Sequence, residues 1–474
     1  MKTRNIFALA AIVLGSSACN LDYDPTSSIA NSTLTEDDYE YLLVGVYDGA
    51  QSFSMGHLYV IDEVASDNLN CRSWYPEIDG NYLTDTDSKV NSTWESLYSS
   101  IQLCNNLITL LEAKSEISDD DMRMEAEAKV IRAWLYMRVV AFWGDAPLLT
   151  VVTDEEVARS PEEDIWALVQ EDLEYAVEYA DDFNEAGQAS SIAAKAMLAR
   201  ALLIAPEEVQ DKTRAAELAE EVIADGRFEL ADDYADIWHS KTSDEILLQW
   251  TNTTSDSGSP GWFLRSNLVN TYEETYGSGS AGYGDQGRYE FPVDNAMWNA
   301  YEDGDTRKAS SVRYLSVGGS ETWDCVKFPS YDADDSWPVV RIAEMYLVSA
   351  EAQGYPAGVT RLNELRVNRG LSAYTAGTDI TDDNFIELIM QERRVELFCE
   401  GFRWYDLRRW WNMGTEGQEA VLSFRCYQTG ETAGSRPTAS DNMNIADDGY
   451  NLLWPVPATA IDNDPNLLPN NPGY

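Results

Sequence analysis

Histidine is almost missing from this chain: His57 and His239 are the only two in 474 residues. They stand far apart, with no partner at ligand spacing, which removes most zinc chemistry and weakens any Ser-His-Asp relay. Both are expected to be structural. Cations are scarce as well, with 33 Lys and Arg against 82 Asp and Glu and a formal charge of -49. Such a chain repels nucleic-acid phosphates, anionic lipid and polyanionic substrates. The surplus carboxylates read as solvated surface, because the dense run from Asp332 to Asp335 lacks calcium-loop spacing. No metal and no cofactor is assigned. G-x-S-x-G, H-E-x-x-H and the Walker loop are also missing, so serine-nucleophile, zinc and phosphate chemistries lack their parts. A glycosidase would need only two carboxylates across a cleft, about 5 or 6.5 to 9.5 Å apart. No spacing nominates such a pair.

The apolar run at the N-terminus is too short to span a bilayer. Lys2 and Arg4 precede Ile6 to Leu14, and small residues follow up to Cys19, the pattern of a secretory signal. Cys19, directly after Ser16, Ser17 and Ala18, resembles the acylated cysteine of a bacterial lipobox, with Leu14 five places ahead rather than three. The expected organisation is a signal peptide over 1–18, a lipidated tether over 19–33 and one domain over 34–474. Lipid chains on Cys19 would anchor an otherwise soluble protein to a membrane. Cys71, Cys104, Cys325, Cys399 and Cys426 follow, an odd number that leaves at least one thiol free. Cys104 and Cys399 fall in helical patterns and are expected to pack as small apolar groups. Cys71, Cys325 and Cys426 lie in loop-like stretches where pairing is open.

What is abundant is amphipathic helix. Thr35 is a candidate N-cap ahead of a stripe of Tyr39, Leu42, Leu43 and Val46, and Trp94, Leu97, Ile101, Cys104 and Ile108 repeat the spacing. A third helix runs to Gly144 and Pro147, which stop it. Ala194, Ala199, Ala216 and Ala219 let the next helices approach closely, and a helix pair of about 35 residues is the tetratricopeptide unit. "VVRIAEMYLVSAEAQG" with "AGVTRLNELRVNRG" makes a later pair, and "TDDNFIELIMQERRVELFCEGFRWYDLRRW" opens another. The reading is a mostly α fold of about four such pairs, with the helical scaffold over 34–240 and 338–430.

Between about 240 and 337 the helical period disappears into Gly, Ser, Asn and aromatics, predicting loops and short strands. A smaller island, "NLNCRSWYPEIDGNYLTDTD", covers 68–87, and a Pro- and Asn-rich C-terminal tail, 431–474, is expected to lie pinned across the surface. Aromatics flanked by Gly or polar residues suit a ligand with flat C–H faces ringed by hydroxyls, a neutral glycan, with Asn, Asp or Arg reading the edges. The candidate contacts are Trp74, Tyr75, Trp262, Tyr283, Tyr289 and Trp323, beside Arg72, Asn81, Asn267, Asp285 and Arg288. Trp298 and Tyr301, at helical spacing, read as core.

Six motifs in order resemble the SusD/RagB family of outer-membrane glycan-binding lipoproteins. They are Trp94, Tyr98 and Asn105 in "WESLYSSIQLCN"; Arg132, Gly144, Asp145 and Pro147 in "IRAWLYMRVVAFWGDAP"; "RIAEMYLVSAEA"; "LNELRVNRG"; "ERRVELFCEGFRWYDLRRW"; and the terminal "WPVPATAIDNDPNLLPNNPGY". The resemblance implies four tetratricopeptide-like pairs under a loop-built face. It further implies a non-catalytic, surface-exposed lipoprotein of the outer membrane that captures oligosaccharides and caps a SusC-like TonB-dependent transporter. In the loop regions the family has no shared motif. Alternatives are a peptide-capturing lipoprotein of the same fold and, least favoured, a glycoside-acting enzyme.

The densest stretch, Gln391 to Trp410, could pass for an active site. Phe385, Leu388, Ile389, Val395 and Cys399 form its apolar stripe, and Glu392 and Glu396 fall on or beside it. Carboxylates so placed need partners, for which Arg393, Arg394, Arg403, Arg408 and Arg409 are close in sequence. The stretch therefore reads as a buried ionic brace between helix pairs rather than a catalytic site.

Overall fold

In the computed structural model, the described residues are 34–71, 74–153, 155–255, 291–317, 320–329, 334–426 and 445–474. Thr35 and the Asp38 carboxylate share hydrogen bonds of 2.8 Å in one turn that leads into helix α1, Tyr39–Phe53. A π-helical segment, Ser54–Val64, follows. After the single turn α2, Pro76–Asp79, come the long helices α3, Ser88–Glu112, and α4, Asp119–Trp143. Ser118 opens α4 with a capping box: Asp121 N–H donates to its Oγ at 3.2 Å, and Ser118 N–H donates to the Asp121 carboxylate at 2.8 Å. Gly144, at φ 64°, ends it in a backbone region that favours glycine. Beyond the short strands β1, Ala146–Pro147, and β2, Arg159–Ser160, run α5, Glu162–Tyr179, α6, Ser191–Ile204, α7, Lys212–Ala224, and α8, Tyr234–His239.

From α3 to α7 each helix packs on the next. Ala194, Ala199 and Ala219 are fully buried, so the close approach expected of small residues is realised. The series continues when helix Ile342–Gln353 packs on α7, on Val359–Asn368 and on Phe385–Glu396. This is a mostly helical fold with tetratricopeptide-like pairing.

One boundary differs from the sequence reading. Residues Trp337–Arg341 form strand β6, and the helix starts only at Ile342. Strand β3, Ile246–Trp250, pairs antiparallel with β6, and every residue of both strands is buried. A strand buried on both faces shows no alternation, so periodicity could not separate it from the helix it feeds. The pairing closes the chain where the non-helical region leaves and re-enters the scaffold. Between them lies a hairpin of β4, Val312–Val317, and β5, Ser320–Cys325.

The C-terminal tail also goes deeper than expected. Trp454 is fully buried, its ring 4.9 Å from Phe142 and 6.0 Å from Trp143. Trp143 Nε1 donates to Pro455 O at 2.9 Å, and Asn471 Nδ2 donates to Trp143 O at 3.0 Å. An amphipathic pattern is absent from so Pro-rich a segment, yet its apolar residues still find the core.

The Gln391–Trp410 stretch is a brace, with partners other than those expected. Glu396 accepts from Arg341 at 2.6 Å, Arg369 at 2.9 Å and Arg307 at 2.9 Å, all fully or almost fully buried. Glu392 accepts from Arg307 at 2.6 Å and Arg366 at 2.9 Å. Glu400 takes Arg341 at 2.7 Å and Lys327 at 2.8 Å, and Glu245 takes Arg341 at 2.5 Å and Arg369 at 2.7 Å. Burial alone would raise the Glu396 carboxyl, but Arg369, Arg341 and Arg307 hold it well below the usual carboxylate range. The neighbouring arginines point elsewhere, because adjacent residues on a helix do not face each other. Arg393 meets Asp406 at 2.9 Å, Arg394 and Arg403 meet Asp67 at 3.2 and 2.6 Å, Arg408 meets Glu162, and Arg409 meets Glu351 at 2.5 Å. Asp62 accepts from the backbone N–H groups of Arg403 and Trp404, at 2.8 and 3.2 Å, where helix Arg403–Trp411 begins.

Candidate functional site

Backbone pairing brings the two aromatic islands together. Leu69 and Val293 form an isolated antiparallel bridge, Asn70 N–H donates to Pro292 O at 2.8 Å, and Asp294 N–H donates to Asn68 O at 2.9 Å. On its other edge Val293 N–H donates to Trp323 O at 2.9 Å. Segments 68–70, 292–294 and the end of β5 thus lie edge to edge, although about 220 residues separate the first two in sequence.

Aromatic rings stand along this seam. Trp74, 40% exposed, packs edge-on against Phe291 at 5.7 Å and Tyr75 at 6.3 Å, and Tyr75 lies parallel to Phe291 at 6.2 Å. Beyond the bridge, Trp323 lies 6.2 Å from Trp298 and 6.2 Å from Tyr314, its direct cross-strand partner, which is 43% exposed. Lys308 Nζ sits 4.3 Å over the Trp298 ring, and Lys89 Nζ lies 5.5 Å from the Tyr75 ring. Flat faces exposed in this way can stack on an apolar ligand surface, while ring edges and cations satisfy polar groups around it.

Of the six candidate contacts, the structure places Trp74, Tyr75 and Trp323 on this seam. Trp262, Tyr283 and Tyr289 lie outside the described residues, as do Arg72, Asn267, Asp285, Arg288 and Cys19. Asn81 is buried, and its Nδ2 donates to Asn451 O at 2.9 Å, so it ties the island to the C-terminal tail rather than facing a ligand. Tyr301 is buried as core, whereas Trp298 is half-buried beside Trp323; six helical residues were too few to fix its face. Phe291, Tyr314 and Lys308 were missed. Hairpin register would have found Tyr314, because strand alternation sets it opposite Trp323.

Two carboxylates near the seam have raised pKa values, yet both are committed to backbone. Burial pushes Asp79 up to about 7, although it accepts from Cys71 N–H at 3.0 Å. Burial likewise pushes Asp294 up to about 6, and its carboxylate accepts from Ala296 N–H at 2.6 Å as the N-cap of helix Asn295–Ala300. His57 is structural as expected, stacked on Phe53 at 5.6 Å with its pKa lowered by burial to about 3. Among the described residues no group of three or more His, Cys, Asp or Glu could hold a metal ion. Cys104, Cys325 and Cys399 are free thiols, with Cys325 Sγ 3.6 Å from Cys399 Sγ in the core. A separate groove of ≈ 940 Å³, rimmed by Glu207, Glu208, Asp382 and Asp383, contains none of the seam residues.

The chain is thus a stack of tetratricopeptide-like helix pairs carrying an open aromatic face. It belongs to the SusD family. A sequence profile described as "SusD family" matches residues 329–474, and one described as "Starch-binding associating with outer membrane" matches 21–203. SusD-like protein P25 of Formosa agariphila is 26% identical across 100% of both chains. A crystal structure with xylogluco-oligosaccharide superposes with TM-score 0.74 at 21% identity, over 92% of this chain and 99% of that one. A laminarin-binding SusD-like protein gives TM-score 0.71 at 21% identity, over 93% and 100%. At that identity the likeness establishes the shared fold.

Proposed function

We propose that the protein is a non-catalytic surface binder that captures oligosaccharide or polysaccharide on the aromatic seam and passes it to a SusC-like TonB-dependent transporter. The observation that carries this reading is the bridge between Leu69 and Val293, which sets Trp74 and Tyr75 beside the segment that contacts Trp323. Rings from separate parts of the chain meet at a surface, where stacking on sugar faces requires them. A structure of the same fold with xylogluco-oligosaccharide and a laminarin-binding SusD-like protein support the ligand class. An outer-membrane location agrees with the description of the N-terminal profile, and acylated Cys19 would supply the anchor. The buried carboxylates near the seam are held by backbone N–H groups, which leaves them poorly placed as an acid and base pair.

The test is retention of the purified protein on a polysaccharide panel with assay for new reducing ends. Retention without cleavage is expected, and Trp323→Ala should weaken binding about thirtyfold, the loss of one stacking anchor of about 2 kcal/mol. New reducing ends, or unchanged affinity in both Trp74→Ala and Trp323→Ala, would overturn the assignment. Tagged protein drawn from outer membranes should bring a large β-barrel with it, and its absence would remove the transporter from the reading.

A further inference from the structure

In a chain with 33 cations and 82 acids, most cations in the described residues are consumed by ion pairs. Lys89 and Lys308 are exceptions, since neither is paired with a carboxylate. Lys89 Nζ donates to Gly56 O at 2.8 Å and otherwise lies against Tyr75; Lys308 Nζ lies only on Trp298. Nearby carboxylates are engaged elsewhere. Asp305 is held by Arg307 at 2.8 and 2.9 Å, and Asp87 accepts from Thr84 N–H at 2.7 Å. Among the described lysines Lys212, exposed at the start of α7, also has no carboxylate, but Lys89 and Lys308 are the unpaired ones that lie on aromatic rings, and both rings belong to the seam.

We propose, resting on the glycan-binding reading above, that the seam selects an anionic saccharide, one bearing carboxylate or sulfate groups, with Lys308 as direct contact and Lys89 as a supporting charge beside Tyr75. A neutral glycan was expected from the total charge of -49. That charge acts weakly here, because at about 0.15 M salt fields fade over roughly 8 Å and the nearest groups decide. Around the seam those groups favour an anion. Burial lowers Lys89 to about 8 with no carboxylate to offset it, while Asp79 and Asp294 are raised toward neutrality and repel an anion less than ordinary carboxylates would.

The experiment titrates the full chain with three oligosaccharides of similar length: an uncharged β-glucan, a polyuronate and a sulfated galactan. One anionic probe should bind at least about tenfold tighter than the β-glucan in low salt, with the advantage shrinking as salt rises. Lys308→Gln should remove that advantage, bringing the anionic probe to no tighter than the β-glucan, and Lys308→Arg should restore it. The difference between polyuronate and sulfated galactan separates the two anionic sources. Tighter binding of the β-glucan, or a Lys308→Gln chain that keeps its preference, would overturn the inference while leaving the binding reading intact. Failure of all three probes to bind, or binding indifferent to Trp323→Ala, would instead sink the binding reading itself.

Discussion

Around Glu396, arginines 307, 341 and 369 and the carboxylates Glu245, Glu392 and Glu400 satisfy one another out of reach of water. Along the seam, by contrast, Trp74 and Tyr314 remain 40% and 43% exposed, and Lys308 Nζ meets only a ring. Both regions are dense in charge and aromatic rings. They differ in closure: in the brace every charged group has found its partner within the chain, whereas the seam keeps rings partly exposed and two ammonium groups without a carboxylate. Density of functional-looking residues is therefore a poor guide to function. Unspent interaction capacity is the better one.

Breaking the brace should produce the largest effect. Glu396→Ala leaves three buried guanidinium groups short of a partner and should cost roughly 3 to 5 kcal/mol in urea unfolding. Glu392→Ala should fall at the low end of that range, because Arg307 keeps Asp305 and Arg366 keeps Glu302, at 2.8 Å each. Neither change should alter glycan affinity in the molecules that remain folded. A stable Glu396→Ala protein that lost its ligand would reverse the comparison and make the brace part of the site.

How legible each region was in the sequence follows from how its partners are spaced. The helix pairs could be read because period 3.6 is a local property: Trp94, Leu97 and Ile101 report their shared face within two turns. Burial of Glu392 and Glu396 was readable for the same reason. Their partners were not, since Arg307, Arg341 and Arg369 arrive from other elements and the nearby arginines are drawn to Asp67, Glu162, Asp406 and Glu351. The two aromatic islands stood out by composition, but nothing local could announce that Leu69 pairs with Val293. Val339 to Arg341 of β6 were read as the start of the helix, because five buried residues in a row carry no alternation.

A smaller effect tests how the seam is held. Asp79 titrates at about 7 in the folded chain against an ordinary 3.8, so the folded state holds this proton more tightly than the unfolded one. That contribution to stability is complete below pH 4 and is lost as pH rises through 7. Asp79→Asn cannot lose it. The difference between the two proteins should therefore be near zero at pH 4 and grow in favour of the variant, to at most about 4 kcal/mol by pH 8, in denaturant titrations at each pH. A difference that did not change with pH would show that burial does not burden this carboxylate.

The smallest stability effect belongs to the residue on which binding is expected to depend. Trp74 keeps 40% of its surface exposed and meets Phe291 and Tyr75 in edge-to-face geometry, so Trp74→Ala removes less buried area than truncation of a core ring such as Trp454 would. Its cost in unfolding should stay under about 1 kcal/mol, within the range of a single aromatic pair. The same substitution should weaken glycan binding by at least tenfold if the exposed face is a stacking platform, as lost anchors at binding surfaces cost about 2 kcal/mol. Measuring unfolding and affinity on one preparation puts the two regions on a single scale: Glu396 should matter for folding and not for ligand, Trp74 for ligand and not for folding. Were Trp74→Ala to lower both together, the ring would be part of the loop core, and the distinction between a closed brace and an open seam would have to be redrawn with Trp323 alone on the ligand side.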